Sequence, residues 1–142
     1  MHTIIAFGTF DLLHEGHLFF LREASKLGKE LVVVVARDST VEEVKGKRPN
    51  HSEQERRSAV EKLSFVNRAV LGKESGGRFE IVKEIGPDVI AMGYDQLPSD
   101  EEVLKGLEKA GVQAGIVRIP AFEEHKFKTS IIKKNGNGPN LN

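Results

Sequence analysis

The sequence contains no cysteine and no tryptophan, a single tyrosine, and acidic and basic residues in equal number, 21 of each. Without cysteine there are no disulfides, no thiolate metal ligands and no cysteine nucleophile, so any catalysis uses other groups; the composition fits a reducing compartment. With aromatics at 6% of the chain and no indole, no stacking platform for a planar ring stands out. A formal net charge of zero excludes a global field that would draw the chain onto nucleic acid or an anionic membrane, so anion binding has to be local. The longest strongly apolar stretch, Leu31 to Ala36, falls far short of the ~18 residues of a membrane span. Met1-His2-Thr3 runs straight into a strand pattern without a charged leader, so no signal peptide is expected and a soluble cytoplasmic protein is the default.

What is present is β/α alternation over a length of 142 residues, which fits one domain on the usual prior of roughly 100–200 residues. Strand-length apolar runs recur at Thr3 to Phe7, Leu31 to Ala36, Arg68 to Leu71, Val89 to Met92 and Gly115 to Ile119. The first, second and fourth lack polar alternation, as expected of strands covered on both faces in a parallel sheet. Helical spacing of apolar residues occupies His17 to Leu27, Ser52 to Leu63 and Asp100 to Ala110. Ser52 with Glu55 and Ser99 with Glu102 form capping-box patterns, and Gly28 and Gly111 are expected to close helices in the left-handed region. Leu71 to Arg78 reads as a glycine-containing loop. Residues 135–142 are small, polar and rich in turn formers, a pattern expected of a flexible tail beyond a domain covering 1–134. The expected fold is a single doubly wound α/β domain with a mainly parallel five-stranded sheet, binding ligands at the carboxyl ends of its strands.

At the end of the first strand stands Gly8-Thr9-Phe10-Asp11-Leu12-Leu13-His14-Glu15-Gly16-His17. A buried strand, a glycine turn and a helix N-terminus are what a phosphate needs: exposed N–H groups and the positive end of a helix dipole. His14 and His17, three residues apart, share one face of a first helical turn, where both imidazoles can donate to one phosphate chain. Gly16 between them lets the backbone approach a bulky anion. A metal pair is the competing reading, but it needs further ligands, and His2, His51 and His125 offer no recognisable spacing. Two solvated histidines near a helix end are the other.

Thr9-Phe10-Asp11 followed by His14-x-Gly16-His17 resembles the signature of the cytidylyltransferase-like nucleotidylyltransferases with the HxGH motif, and the resemblance covers most of the chain. Within that superfamily, the wording from Gly8 to Ala24, the segment Val32 to Val41 and Gly93-Tyr94-Asp95-Gln96 are most similar to the archaeal-type FAD synthases, which are FMN adenylyltransferases. Glycerol-3-phosphate cytidylyltransferases come second. The resemblance implies a Rossmann-like domain and transfer of AMP from ATP to FMN, giving FAD and pyrophosphate. It implies catalytic roles for His14, His17 and Lys47. Nucleotide contacts would come from Thr9, Phe10, His14, Glu15, Gly16, His17, Asp95, Thr129 and Ser130, and contacts to the second substrate or its phosphate from Asp11, Lys47, Arg56 and Lys126. A divalent cation, magnesium, would accompany ATP without a dedicated protein metal site, and no tightly bound prosthetic group is implied. The implied assembly is a homodimer.

Three of these stretches have plainer readings of their own. Lys45-Gly46-Lys47-Arg48-Pro49 is either a solvated basic loop or a set of cations that screens phosphates, with Arg57 on the following helix expected to be exposed. Asp95 either accepts from a ribose or base or merely helps a turn, and Tyr94 either stacks or packs. Thr129 and Ser130 either cap a helix or present hydroxyls to phosphates. They match the hydroxyls of the cytidylyltransferase wording Ser-Thr-Thr-Lys, but Ile131 stands where that version has lysine, a departure that weakens the CTP alternative and shifts basic roles toward Lys126 or Lys128. Phe10, Phe122 and Phe127 are candidate ring contacts that core packing equally explains. Besides CTP-dependent transfer to glycerol 3-phosphate, the alternatives are another phosphorylated acceptor, such as phosphopantetheine or a sugar phosphate, and a non-catalytic nucleotide or flavin sensor.

Overall fold

The computed structural model describes residues 2–73, 77–96 and 98–121. Its elements run β1 (Thr3–Gly8), α1 (Glu15–Ser25), β2 (Glu30–Val35), α2 (Asp38–Lys45), α3 (Glu53–Glu61), β3 (Arg68–Leu71), α4 (Arg78–Ile85), β4 (Val89–Gly93), α5 (Asp100–Ala110) and β5 (Gly115–Ile119). All five strands pair in parallel in the order β3-β2-β1-β4-β5. The expected strands are therefore found, with ends shifted by at most a residue.

The apolar runs are continuous because both sheet faces are covered. Leu31 to Val35 are all buried, and each such side chain withdrawn from water stabilises by roughly 1.5–3 kcal/mol. One core layer joins Ile4, Ala6, Val33 and Val35 to Leu21 and Ala24 of α1 and Val60 of α3. The opposite layer joins Ile5, Val34, Ile90 and Met92 to Ile81 and Val82 of α4 and Val103 and Leu107 of α5. The period-two alternation along each strand divides its side chains between these layers.

Ser52 and Ser99 form the expected capping boxes with Glu55 and Glu102. Gly111 closes α5 at φ 74°. Gly28 differs from expectation. Helix α1 ends at Lys26, whose own conformation is right-handed helical, and Gly28 is not among the left-handed glycines. Its missing side chain serves a close approach instead, because a Cβ there would lie 2.7 Å from the carbonyl oxygen of His2. The helices α2 and α4 were not expected. Residues 122–142, including Phe122, Lys126, Phe127, Thr129, Ser130 and the expected tail, lie outside the described residues.

The order reverses at β1. From β1 the chain moves outward to β2 and β3, then crosses back to β4 on the other side. Pairing of β1 with β4 extends from Ile4↔Val89 to Ala6↔Ala91. Beyond it the strand ends diverge around a crevice at the carboxyl edge, where an open α/β sheet binds its ligands.

Candidate active site

Both histidines stand on this edge. His14 is the N-cap of α1, in extended conformation, and its Nδ1 accepts from the Gly16 N–H at 3.1 Å. An Nδ1 that accepts carries no proton in the neutral ring, so the proton sits on Nε2, which is left as a donor. Gly16 also makes room for this cap, since a Cβ there would lie 3.0 Å from His14 Cε1. The His17 ring stacks on that of His14 with centroids 3.8 Å apart and planes 23° apart. Burial and the neighbouring His14 pull the pKa of His17 below 6.5, with Lys45 adding to the depression and the Leu12 backbone opposing it. His17 is therefore neutral at pH 7. Its Nδ1 has no partner in good hydrogen-bond geometry among the described residues.

His17 also meets Phe10 in a T-shaped contact at a centroid distance of 5.4 Å. Phe10 is buried and holds φ at 53°, a left-handed conformation that costs a non-glycine residue on the order of 1–3 kcal/mol and persists only where the surroundings over-determine it. Gly8 is part of those surroundings, for a Cβ on it would lie 2.4 Å from Phe10 Cζ. Gly8→Ala is therefore expected to cost about 1–3 kcal/mol by overpacking and to lower turnover by displacing the ring that flanks His17. Thermal unfolding and steady-state rates check this, with Gly72→Ala as control, whose Cβ would make an ordinary contact at 3.4 Å.

Arg56 is the second part of those surroundings, and its role differs from the expected phosphate contact. The side chain is 0% exposed. Nη1 donates to the carbonyls of Thr9 at 2.9 Å and Ala36 at 2.7 Å, Nε to His51 O at 3.0 Å, and Nη2 to Asp38 Oδ1 at 2.7 Å. The guanidinium thus joins the ends of β1 and β2, the start of α2 and the loop before α3, with no face left for a ligand. Asp11 is also engaged within the fold: its carboxylate accepts from the Asn50 N–H at 2.7 Å and the His51 N–H at 2.8 Å, and these bonds hold its pKa below 3.8. Together Arg56 and Asp11 fasten residues 9–11 to residues 50–51.

Lys47 and Arg48 are exposed on the loop so anchored, and Arg48 pairs loosely with Asp38 at 3.8 Å. Lys45, in the last turn of α2, is the cation whose field reaches His17. Glu15 is exposed in the first turn of α1. Across the crevice Tyr94 and Asp95 are exposed after β4.

A family model described as cytidylyltransferase-like matches residues 5–135. The chain belongs to the cytidylyltransferase-like family. It is 44% identical over 133 residues to a FAD synthase of Thermococcus sibiricus, with 92% of this chain and 90% of the relative covered. It is 48% identical over 124 residues to a FAD synthase of Methanosarcina barkeri, with 87% of each covered. A crystal structure of the lipopolysaccharide core biosynthesis protein from Thermoplasma volcanium GSS1 superposes with a TM-score of 0.82 at 44% identity, covering 86% of this chain and 98% of that one.

In this cytidylyltransferase-like chain the sequence reading passed over three residues that hold the edge together. Gln96 bridges the crevice floor: its Nε2 donates to Phe7 O at 2.9 Å and its Oε1 accepts from the Gly93 N–H at 3.0 Å. It supplies hydrogen bonds where the β1–β4 ladder has ended. Arg118 on β5 donates to the carbonyls of Gly93, Gln96 and Pro98 and to Asp100 Oδ1, at 2.7–3.0 Å, and so fixes the segment carrying Tyr94 and Asp95. Arg37 ties Gly72 O at 2.7 Å to the α3 start through Glu53 at 3.4 Å. Gln96 and Arg37 stand inside stretches that carry the resemblance but were given no role, and Arg118 stands in a strand with no motif; a single glutamine or arginine gives no periodic signal. Gln96, adjoining Gly93-Tyr94-Asp95, was the nearest to being found.

Proposed function

We propose that the chain transfers AMP from ATP to FMN, as an FMN adenylyltransferase of the FAD synthase type. The observation that carries the reading is the stacked His14–His17 pair at the α1 N-terminus, in a chain whose relatives named FAD synthase match it over nearly their whole lengths. A phosphate oxygen of FMN attacks the α-phosphorus of ATP, the bond from that phosphorus to the β-bridging oxygen breaks, and pyrophosphate leaves. The attacking oxygen is already anionic near neutral pH, so the protein need only screen repulsion and hold the line of attack. His14 and His17 donate N–H groups toward the charge that builds on the α- and bridging oxygens. Lys45 and Lys47 supply positive charge for the triphosphate, and Asp95 stands where a ribose or base would be met. Thr129, Ser130 and Lys126 complete the proposed phosphate contacts.

Among the described residues no three His, Asp or Glu side chains gather as a metal site. In the proposed reaction magnesium comes with ATP, since that ion binds mainly through substrate phosphates, waters and one or two carboxylates. The same reading takes the protein to be a cytoplasmic homodimer, to be measured by light scattering on the purified chain. Among the described residues no helix is long and apolar enough to cross a membrane.

The decisive assay compares ATP plus FMN with CTP plus glycerol 3-phosphate in the presence of magnesium, following pyrophosphate and separating products by chromatography. FAD is the expected product. CDP-glycerol would replace the substrates while keeping the chemistry, and nucleotide binding without any product would make the chain a sensor.

A further inference from the structure

On the opposite sheet face from the histidine pair, the same carboxyl edge holds a small, shallow cleft enclosing about 20 Å³. Phe7, Ile90 and Met92 line it from the strand ends, and Phe79, Val82 and Val103 from α4 and α5. Its polar groups come from Arg78 and Gln96. The two amide atoms of Gln96 are already committed to Phe7 O and the Gly93 N–H. Arg78, the first residue of α4, places its guanidinium 5.6 Å from the centroid of the Phe7 ring. Partial burial of the guanidinium pulls the Arg78 pKa down from its ordinary value although the residue as a whole keeps contact with solvent; an arginine remains charged even so.

We propose that this cleft is the ring site for the flavin acceptor, with Arg78 as its specificity-determining residue. The inference rests on the proposed reaction and adds to it which part of the molecule selects FMN. Three properties of the cleft favour a flavin over the adenine of ATP. Its floor and walls are apolar, which suits the flat faces of the ring at the edge that enters. Arginine carries five donors and no acceptor. The pyrimidine edge of an isoalloxazine offers two carbonyl oxygens to a guanidinium, whereas adenine has no carbonyl and sets an amino donor among its accepting ring nitrogens, so the flavin edge matches a donor-only side chain better. The planar guanidinium over Phe7 is also a surface onto which a flat ring can stack. Given its volume, the cleft takes the ring's edge rather than the whole ring.

The topology supplies the connection to the chemistry. Phe7 and Met92 belong to the two strands that part at the crevice, and Phe7 lies two residues before Thr9 in the chain. An acceptor with its ring edge in the cleft and its ribityl phosphate across the strand ends would meet the triphosphate over His14 and His17.

Riboflavin separates the ring from the phosphate, so the test follows quenching of flavin fluorescence by the full chain with riboflavin and with FMN, in wild type, Arg78→Met and Arg78→Lys. The steady-state KM for FMN and for ATP is measured beside it. Loss of Arg78 in the Met variant, which keeps much of the apolar stem, is expected to weaken both flavins and raise the FMN KM roughly tenfold. The ATP KM should stay within about twofold. Arg78→Lys keeps the charge but loses the planar fork and should fall between. Far-UV circular dichroism establishes that each variant is folded. A raised ATP KM with flavin binding unchanged would assign the cleft to adenine and overturn the proposal, as would FMN binding without any riboflavin binding. The proposed reaction fails separately: a wild type that makes no FAD yet binds riboflavin through Arg78 loses the reaction and keeps the ring site.

Discussion

Replacing His17 by Ala is expected to lower the turnover of ATP and FMN roughly 100- to 1,000-fold, the loss typical of removing one preorganised donor to a transition-state oxyanion. The magnitude follows from how firmly the ring is held. It packs against the rings of His14 and Phe10, with centroid distances of 3.8 and 5.4 Å, so it need not reorganise when charge develops. Folding should change far less than turnover, because the side chain is only partly buried. The pH response adds a second signature. With a folded-state pKa depressed below 6.5, His17 contributes to stability in its neutral form above about that pH. The contribution is lost as the pH falls through the folded pKa, because the unfolded chain takes up the proton first. Urea unfolding at pH 5 and pH 7 should therefore show a smaller acid-side loss in the Ala variant than in wild type. Steady-state kcat measures the main effect, and near-normal turnover in a folded variant would remove His17 from the reaction.

Arg56→Ala is expected to cost about 3–5 kcal/mol of folding stability, the usual consequence of removing one partner of a buried ion pair. The truncation leaves the Asp38 carboxylate, itself only 19% exposed on its side chain, with no more than the loose Arg48 contact at 3.8 Å, and takes a donor from three carbonyls. Against a total stability of about 5–15 kcal/mol for a domain of this kind, the variant stands near the edge of folding. Arg56→Lys keeps the charge, but one ammonium cannot reproduce a planar fork that reaches both strand ends, the loop carbonyl and Asp38 together. It should fold with an intermediate loss and with lowered kcat, since Thr9 and the left-handed Phe10 would no longer be pinned. Urea unfolding of all three chains, with rates for those that fold, measures both effects.

Arg56 also illustrates what a sequence can and cannot reveal. Its position in a basic segment near the His motif pointed to anion contact, and Arg57 beside it does prove the more accessible, with its side chain 29% exposed. What the spacing could not tell is that Arg56, four residues after the capping Ser52, would aim at carbonyls released by the ends of two strands. Those acceptors come from residues 20 and 47 positions away. The Asp11 carboxylate was hidden in the same way, by backbone donors 39 and 40 residues distant. Short-range features were legible: five strands from unbroken apolar runs, two capping boxes from a serine and a glutamate three residues on, and the His14–His17 face from helical spacing. Helix α2 escaped because, of its eight residues, only Val41 is buried, and α4 because its eight residues follow directly on a glycine-rich segment. The cleft escaped with α4, since Arg78 and Phe79 open that helix.

The reversal of strand order at β1 has a consequence for how the protein can change. The histidine motif is carried by the layer that contains α1 and α3, and the cleft by the layer that contains α4 and α5; the two core clusters share no residue. Substitutions in separate layers without common partners tend to act independently. On the proposed assignments the sheet works as a partition wall, with bond-making chemistry in one room and choice of acceptor in the other. A lineage, or an engineer, can refurnish the second room without disturbing the first.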